Sequence, residues 1–131
     1  MILGGGAGHA GLFSTIEDLL KFMLALTRPN GAFVKYSTLE LFITRPDSAS
    51  SSRAIGWDTP SEGSSAGNLF GPRSFGHTGF TGTSIWADPD RQLFAILLTN
   101  RVHPTADNLK IRDLRRSFHD AVVEDLLDSD R

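Results

Sequence analysis

The run His77-Thr78-Gly79-Phe80-Thr81-Gly82-Thr83-Ser84 gathers an imidazole, several hydroxyls and two glycines ahead of a β-rich segment. These residue types suit a wall that receives an oxyanion. A protonated His77 can hold a carboxylate or polarise a hydroxyl, and Thr78 adds a hydroxyl. Gly79 lets a ligand approach the main chain, with Thr81 beside it as a second substrate contact. The Phe80 backbone N–H can donate to a negative charge that develops on a carbonyl oxygen. An ordinary imidazole titrates at ~6.5, so any charge held by a histidine at this position is conditional on pH. If protonation is required, carboxylated ligands bind less well as pH rises through that range. The chemistry also needs a nucleophile and a base, and none is apparent nearby. From the residues alone, His77 reads equally as a loop histidine that precedes a strand.

Other candidates are weaker. Gly6-Ala7-Gly8-His9-Ala10-Gly11 has the GxGxxG spacing of a dinucleotide loop. That motif needs a preceding strand and an acidic residue ending the next one, and a second helix occupies the latter place. A tight loop leading into a capped helix explains the glycines better. Of the four histidines, His9, His77, His103 and His119, no pair has the helical spacing of a metal site, and neither a metal nor a cofactor is expected. His119, next to Phe118, reads as a surface or boundary residue of a long helix, and His103 as structural.

The elements that must position this wall follow from periodicity and punctuation. Ser14 and Glu17 have capping-box spacing ahead of the stripe Ile16, Leu19, Leu20, Met23 and Leu26, which Pro29-Asn30-Gly31 ends. A shorter helix starts at Ser37, with Glu40 completing a second capping box and Leu39, Phe42 and Ile43 inward. Ala54 to Asp58 reads as a short strand. Residues 59 to 72 read as a long surface loop rich in Pro, Gly and Ser. Residues 74 to 80 and 83 to 87 read as strands joined at Thr81-Gly82, and Asp88 to Arg91 as a reverse turn. Leu93 to Thr99 is apolar on both faces and reads as a central strand. A helix from about Asp107 to Leu127, with the stripe Ile111, Leu114, Phe118, Val122 and Leu126, ends the chain before a frayed tail at residues 128 to 131.

With 131 residues, no cysteine, 21% charged residues and a net charge of −2, the chain reads as one soluble globular domain spanning residues 1–131. The lack of cysteine removes disulfides, zinc–thiolate sites and cysteine catalysis. The charge balance does not suggest a nucleic-acid partner. No apolar run approaches the ~20 residues of a membrane span, and no signal peptide precedes the glycines.

Three segments resemble the C-terminal part of a serine β-lactamase or penicillin-binding-protein-like hydrolase, in the branch of class C β-lactamases, D-stereospecific peptidases and esterases. The first is Gly8-His9-Ala10-Gly11-Leu12-Phe13-Ser14-Thr15 with the following Glu17-Asp18-Leu19-Leu20-Lys21-Phe22. The second is Ile55-Gly56-Trp57. The third is His77-Thr78-Gly79, followed by Trp86-Ala87-Asp88-Pro89 and Leu98-Thr99-Asn100-Arg101. The resemblance covers nearly the whole chain. It implies an α+β fold: a small antiparallel sheet carrying a long C-terminal helix, plus two N-terminal helices. It also implies acyl transfer through a serine ester on a β-lactam, D-amino-acid peptide or ester. His77, Thr78 and the Phe80 N–H would then be catalytic, and Gly79 and Thr81 would bind substrate.

The chain departs from that family in two motifs. No serine has a lysine three residues on: Ser14 is followed by Glu17, Ser37 by Glu40 and Ser50 by Arg53. In the family Ser-x-x-Lys carries the nucleophile. The Tyr-x-Asn motif is also missing, because the lone tyrosine gives Tyr36-Ser37-Thr38. The expectation is a chain that begins after both motifs. It would supply one cleft wall, and its partner would be a missing N-terminal half or a second copy. The family is often periplasmic or extracellular. A binding or interaction module that kept the wall without catalysis is the alternative, and a fragment without an independent role a third.

Overall fold

A computed structural model describes residues 11–28, 33–46 and 51–129. Helices α1 (Ile16–Thr27) and α2 (Tyr36–Ile43) precede strands β1 (Phe75–Thr78), β2 (Ser84–Asp88) and β3 (Leu93–Leu97), and helix α3 (Ile111–Ser129) follows. The sheet is antiparallel in the order β1-β2-β3. The architecture is the expected α+β arrangement.

Side chains alternate across the pleat, so β2 and β3 each serve two cores, and β1 joins the first through Phe75. On one face Phe75, Ile85, Ala87, Phe94 and Ile96 meet Met23 and Leu26 of α1 and Leu39 and Ile43 of α2. On the other, Trp86, Leu93 and Ala95 meet Phe118, Val122 and Val123 of α3, and Ala66 and Phe70 of the long loop. That loop therefore contributes to a core as well as covering the surface. Asp120 on α3 ties it down by accepting from the Asn68 and Leu69 N–H groups at 2.6 and 3.0 Å. The buried Asp88 accepts from the Asp90 and Arg91 N–H groups and closes the reverse turn.

Several elements differ from the expectation. Thr15, not Ser14, caps α1, its hydroxyl accepting from the Asp18 N–H at 3.3 Å. Lys35 occupies the N-cap of α2 and makes no side-chain cap bond, so the Ser37–Glu40 box does not form. Phe42 is exposed because only Leu39 and Ile43 of that helix point inward. Residues 54 to 58 form a turn, closed by the Ala54 N–H on Trp57 O, with Gly56 at φ 76°. Only Asp58 joins the sheet, through a single bridge to Gly76.

β3 is an edge strand among the described residues, not a central one. Its two apolar faces are explained by α1 and α3, which pack on opposite sides of it. Apolar character on both faces reports what covers the faces, and says nothing about lateral pairing.

α3 starts at Ile111, because Thr105, Asp107 and Asn108 close local turns before it. Its inward line is Ile111, Arg115, His119 and Val123, whereas Leu114 and Leu126 are exposed. His119 is fully buried, contrary to the surface reading. Buried polar groups are tolerated where they are hydrogen-bonded: Arg115 bonds to the turn between β1 and β2, and His119 to Ser84 on β2. The Gly6–Gly11 loop with His9, the Pro29-Asn30-Gly31 stop and the last two residues of the tail lie outside the described residues, apart from Gly11 itself.

Candidate functional site

His77 is the exposed residue of β1, opposite Ile85. Its ring is held at both nitrogens. Nδ1 is 2.8 Å from Thr78 O, and Nε2 is 3.1 Å from Arg53 Nη1. A guanidinium can only donate, so Nε2 accepts and the ring proton sits on Nδ1, donating to Thr78 O. In this arrangement Arg53 is the fixed cation beside the ring. Arg53 arrives from the segment that docks on the free side of β1. There the Asp58 N–H donates to Gly76 O at 2.7 Å, and the Gly76 N–H donates back at 2.9 Å. Trp57 stacks edge-on against Phe75, with ring centres 5.0 Å apart. Asp58 Oδ1 accepts from Ser52 Oγ at 2.8 Å and lies 3.7 Å from Arg53 Nε.

Thr78 is half-buried and pairs with Ser84, whose side chain meets α3. Strand alternation therefore sends the His77 and Thr78 side chains to opposite faces. Thr78 borders a cavity of about 220 Å³ with Gly79, Phe80, Arg101, Arg112 and Arg115 among its lining residues.

The turn after Thr78 is tightly built. The Gly79 N–H donates to Thr83 O at 2.8 Å, and the Gly82 N–H to Gly79 O at 3.1 Å. A Cβ at Gly79 would strike Thr83 Oγ1, so a larger residue there would have to displace that hydroxyl. Gly82 has φ 121°, a conformation that side chains resist. Thr81 is exposed, and its carbonyl accepts from the Arg101 N–H at 2.8 Å. Arg101 Nε donates to Phe80 O at 2.8 Å, and the guanidinium stacks 4.4 Å over the exposed Phe80 ring. Among the described residues nothing accepts from the Phe80 N–H.

Two residues on α3 complete the corner. Arg115 Nη2 donates to Gly79 O and Thr83 O, both at 2.7 Å. Burial, and then the nearby Arg101 charge, push its ionisation below the usual arginine range. His119 Nε2 lies 3.0 Å from Ser84 Oγ. Burial, with Arg115 adding to it against an opposing pull from Asp120, lowers His119 to about 4.

The structure thus brings the Gly79–Phe80 peptide, Thr81 and His77 to one end of the sheet, but separates the His77 and Thr78 side chains. Sequence reasoning missed Arg53, Arg101, Arg115 and His119. The i, i+4 placement of Arg115 and His119 between Ile111 and Val123 was the signal available for the last two. Nothing local marks Arg53. Among the described residues no group of three His, Asp or Glu side chains could hold a metal ion.

The Beta-lactamase family model matches residues 2–120. The chain belongs to the β-lactamase family. Relatives from Salmonella enteritidis PT4 and Salmonella gallinarum, each named "Putative D-alanyl-D-alanine carboxypeptidase", are 33% identical over 83% of this chain. The chain spans 27% of their length. A crystallised β-lactamase from Mycobacterium bovis superposes with a TM-score of 0.71 at 25% identity, covering 86% of this chain and 44% of that one.

Proposed function

We propose that these residues form the C-terminal wall of a serine hydrolase cleft acting by acyl-enzyme chemistry on β-lactams, D-amino-acid peptides or esters. The observation that carries this reading is the Phe80 N–H, without an acceptor among the described residues and on a peptide clamped by a hydrogen-bonded turn at the mouth of the β-lactamase-type sheet. A donor fixed before the reaction stabilises the oxyanion of a tetrahedral intermediate without reorganising. His77, held by Arg53, lines the same end of the sheet for substrate binding. Gly79 and Thr81 present main chain to the substrate, and Thr78, on the α3 side, adds its hydroxyl as a catalytic contact at the cavity it lines.

The nucleophile and its base come from outside these 131 residues, which contain no Ser-x-x-Lys. Support for a covering N-terminal region comes from the surface. Leu12 and Phe13 are more than nine-tenths exposed, Phe33 and Leu41 are largely exposed, and β3 has an unpaired edge among the described residues. Patches of this kind mark interfaces. Sequencing the coding DNA upstream of Met1 tests the reading. An in-frame Ser-x-x-Lys supports it, and a stop codon with a ribosome-binding site favours a binding module that retained the wall.

A further inference from the structure

We propose that Arg115 is a positioning residue for the oxyanion donor, acting through the Gly79–Phe80 peptide from the far side of the sheet. The inference rests on the reading of the Phe80 N–H as that donor.

The carbonyl of Gly79 and the N–H of Phe80 belong to one peptide unit. They share a conjugated system and point in opposite directions. Arg115 Nη2 donates to that carbonyl at 2.7 Å, and to Thr83 O, across the turn, at the same distance. Both contacts are short and charge-assisted, the stronger class of hydrogen bond. They fix the peptide plane at both ends of the turn, which sets the direction of the Phe80 N–H. They also draw electron density toward the carbonyl oxygen and make the N–H a better donor. Linked hydrogen bonds strengthen one another by roughly 10–30% in condensed phases.

The surroundings of Arg115 argue that its charge is the point. The residue is only 8% exposed, and its Nε has no partner. Among the described residues no carboxylate forms an ion pair with it, and its charged neighbour is another arginine, Arg101. An unpaired buried cation is costly. A neutral donor could satisfy two carbonyls without that cost. A full positive charge behind the donor peptide instead favours negative charge arriving in front of it. The oxyanion exists only in the transition state and intermediate, so the effect falls on turnover and leaves ground-state binding alone.

The test uses the protein encoded by the full reading frame, with Arg115→Gln, which keeps a neutral donor, and Arg115→Lys, which keeps a cationic one. With a p-nitrophenyl ester, Arg115→Gln lowers kcat about tenfold with KM within about twofold, less than the loss from deleting a donor outright. Arg115→Lys stays within about threefold of the unmodified protein. The Phe80 amide proton moves upfield in Arg115→Gln and returns in Arg115→Lys, while the Phe75 and Ala87 amides stay in place. Equal kcat in the two variants, a loss confined to KM, or an unmoved Phe80 amide overturns the proposal. If the unmodified protein does not turn over the ester, the acyl-transfer reading fails, and the amide shift alone decides the coupling. If Arg115→Gln unfolds, a Phe80 amide in Arg115→Lys close to the unmodified position supports the coupling, and one displaced upfield overturns it.

Discussion

Arg53 Nη1 and His77 Nε2 stand 3.1 Å apart, and this contact divides the labour at the mouth of the sheet. The guanidinium is a permanent cation, and the imidazole that accepts from it is held to Thr78 O. On the proposed function, the fixed positive charge that a substrate carboxylate would meet is that of Arg53.

In the full-length protein, a preference for carboxylated over neutral esters persists across roughly pH 5 to 8, the window in which histidines titrate. Arg53→Met removes that preference, and His77→Gln lowers kcat/KM for both substrates alike. Profiles of kcat/KM against pH decide the matter. A preference that fades in the unmodified protein as pH rises would return the charge to His77.

His119 makes stability pH-dependent. Its folded-state ionisation is lowered to about 4, against ~6.5 for a free imidazole. The unfolded chain therefore binds the proton more readily between those values. The contribution is complete above ~6.5 and is lost as pH falls toward 4, for a total of about 3 kcal/mol. Thermal melts from pH 7 to 4 show a steeper fall in Tm for the unmodified protein than for His119→Gln, which keeps a partner for Ser84 and does not titrate. Parallel curves would contradict this.

Gly79→Ala puts a methyl group against Thr83 Oγ1. Overpacking of this kind costs about 1–3 kcal/mol. Thr83→Ala removes the obstructing hydroxyl, so the double variant recovers most of the lost stability in denaturant melts. An additive loss would mean that the two side chains do not meet.

The 131-residue chain alone is expected to associate, through the edge of β3 left unpaired among the described residues and the exposed apolar residues of α1 and α2. Sedimentation shows species larger than a monomer at high concentration. A compact monomer throughout would speak against an interface on this surface.

The fold was largely legible because its signals are local. The short β-rich runs at Phe75–Thr78 and Ser84–Asp88, the turn at Asp88-Pro89 and the apolar spacing of α1 all act within a few residues. The misreadings came from long-range partners. Arg115 and His119 look like surface residues until Gly79, Thr83 and Ser84 are placed beneath them. Leu93–Leu97 looks central because a sequence shows which faces are apolar but not which edge is paired. At the site, His77 and the Phe80 N–H were marked by the His-Thr-Gly motif. Arg53 lies 24 residues away and reaches His77 only because Asp58 pairs with Gly76.

The most direct test of the cleft-wall account is reaction with a fluorescent penicillin, comparing the 131-residue chain with the same residues preceded by the upstream part of their reading frame. The account predicts no covalent label on the chain alone and stoichiometric label on a serine of the longer protein, slowed by Arg115→Gln. Label on any serine within these 131 residues, or none on the longer protein, would contradict it.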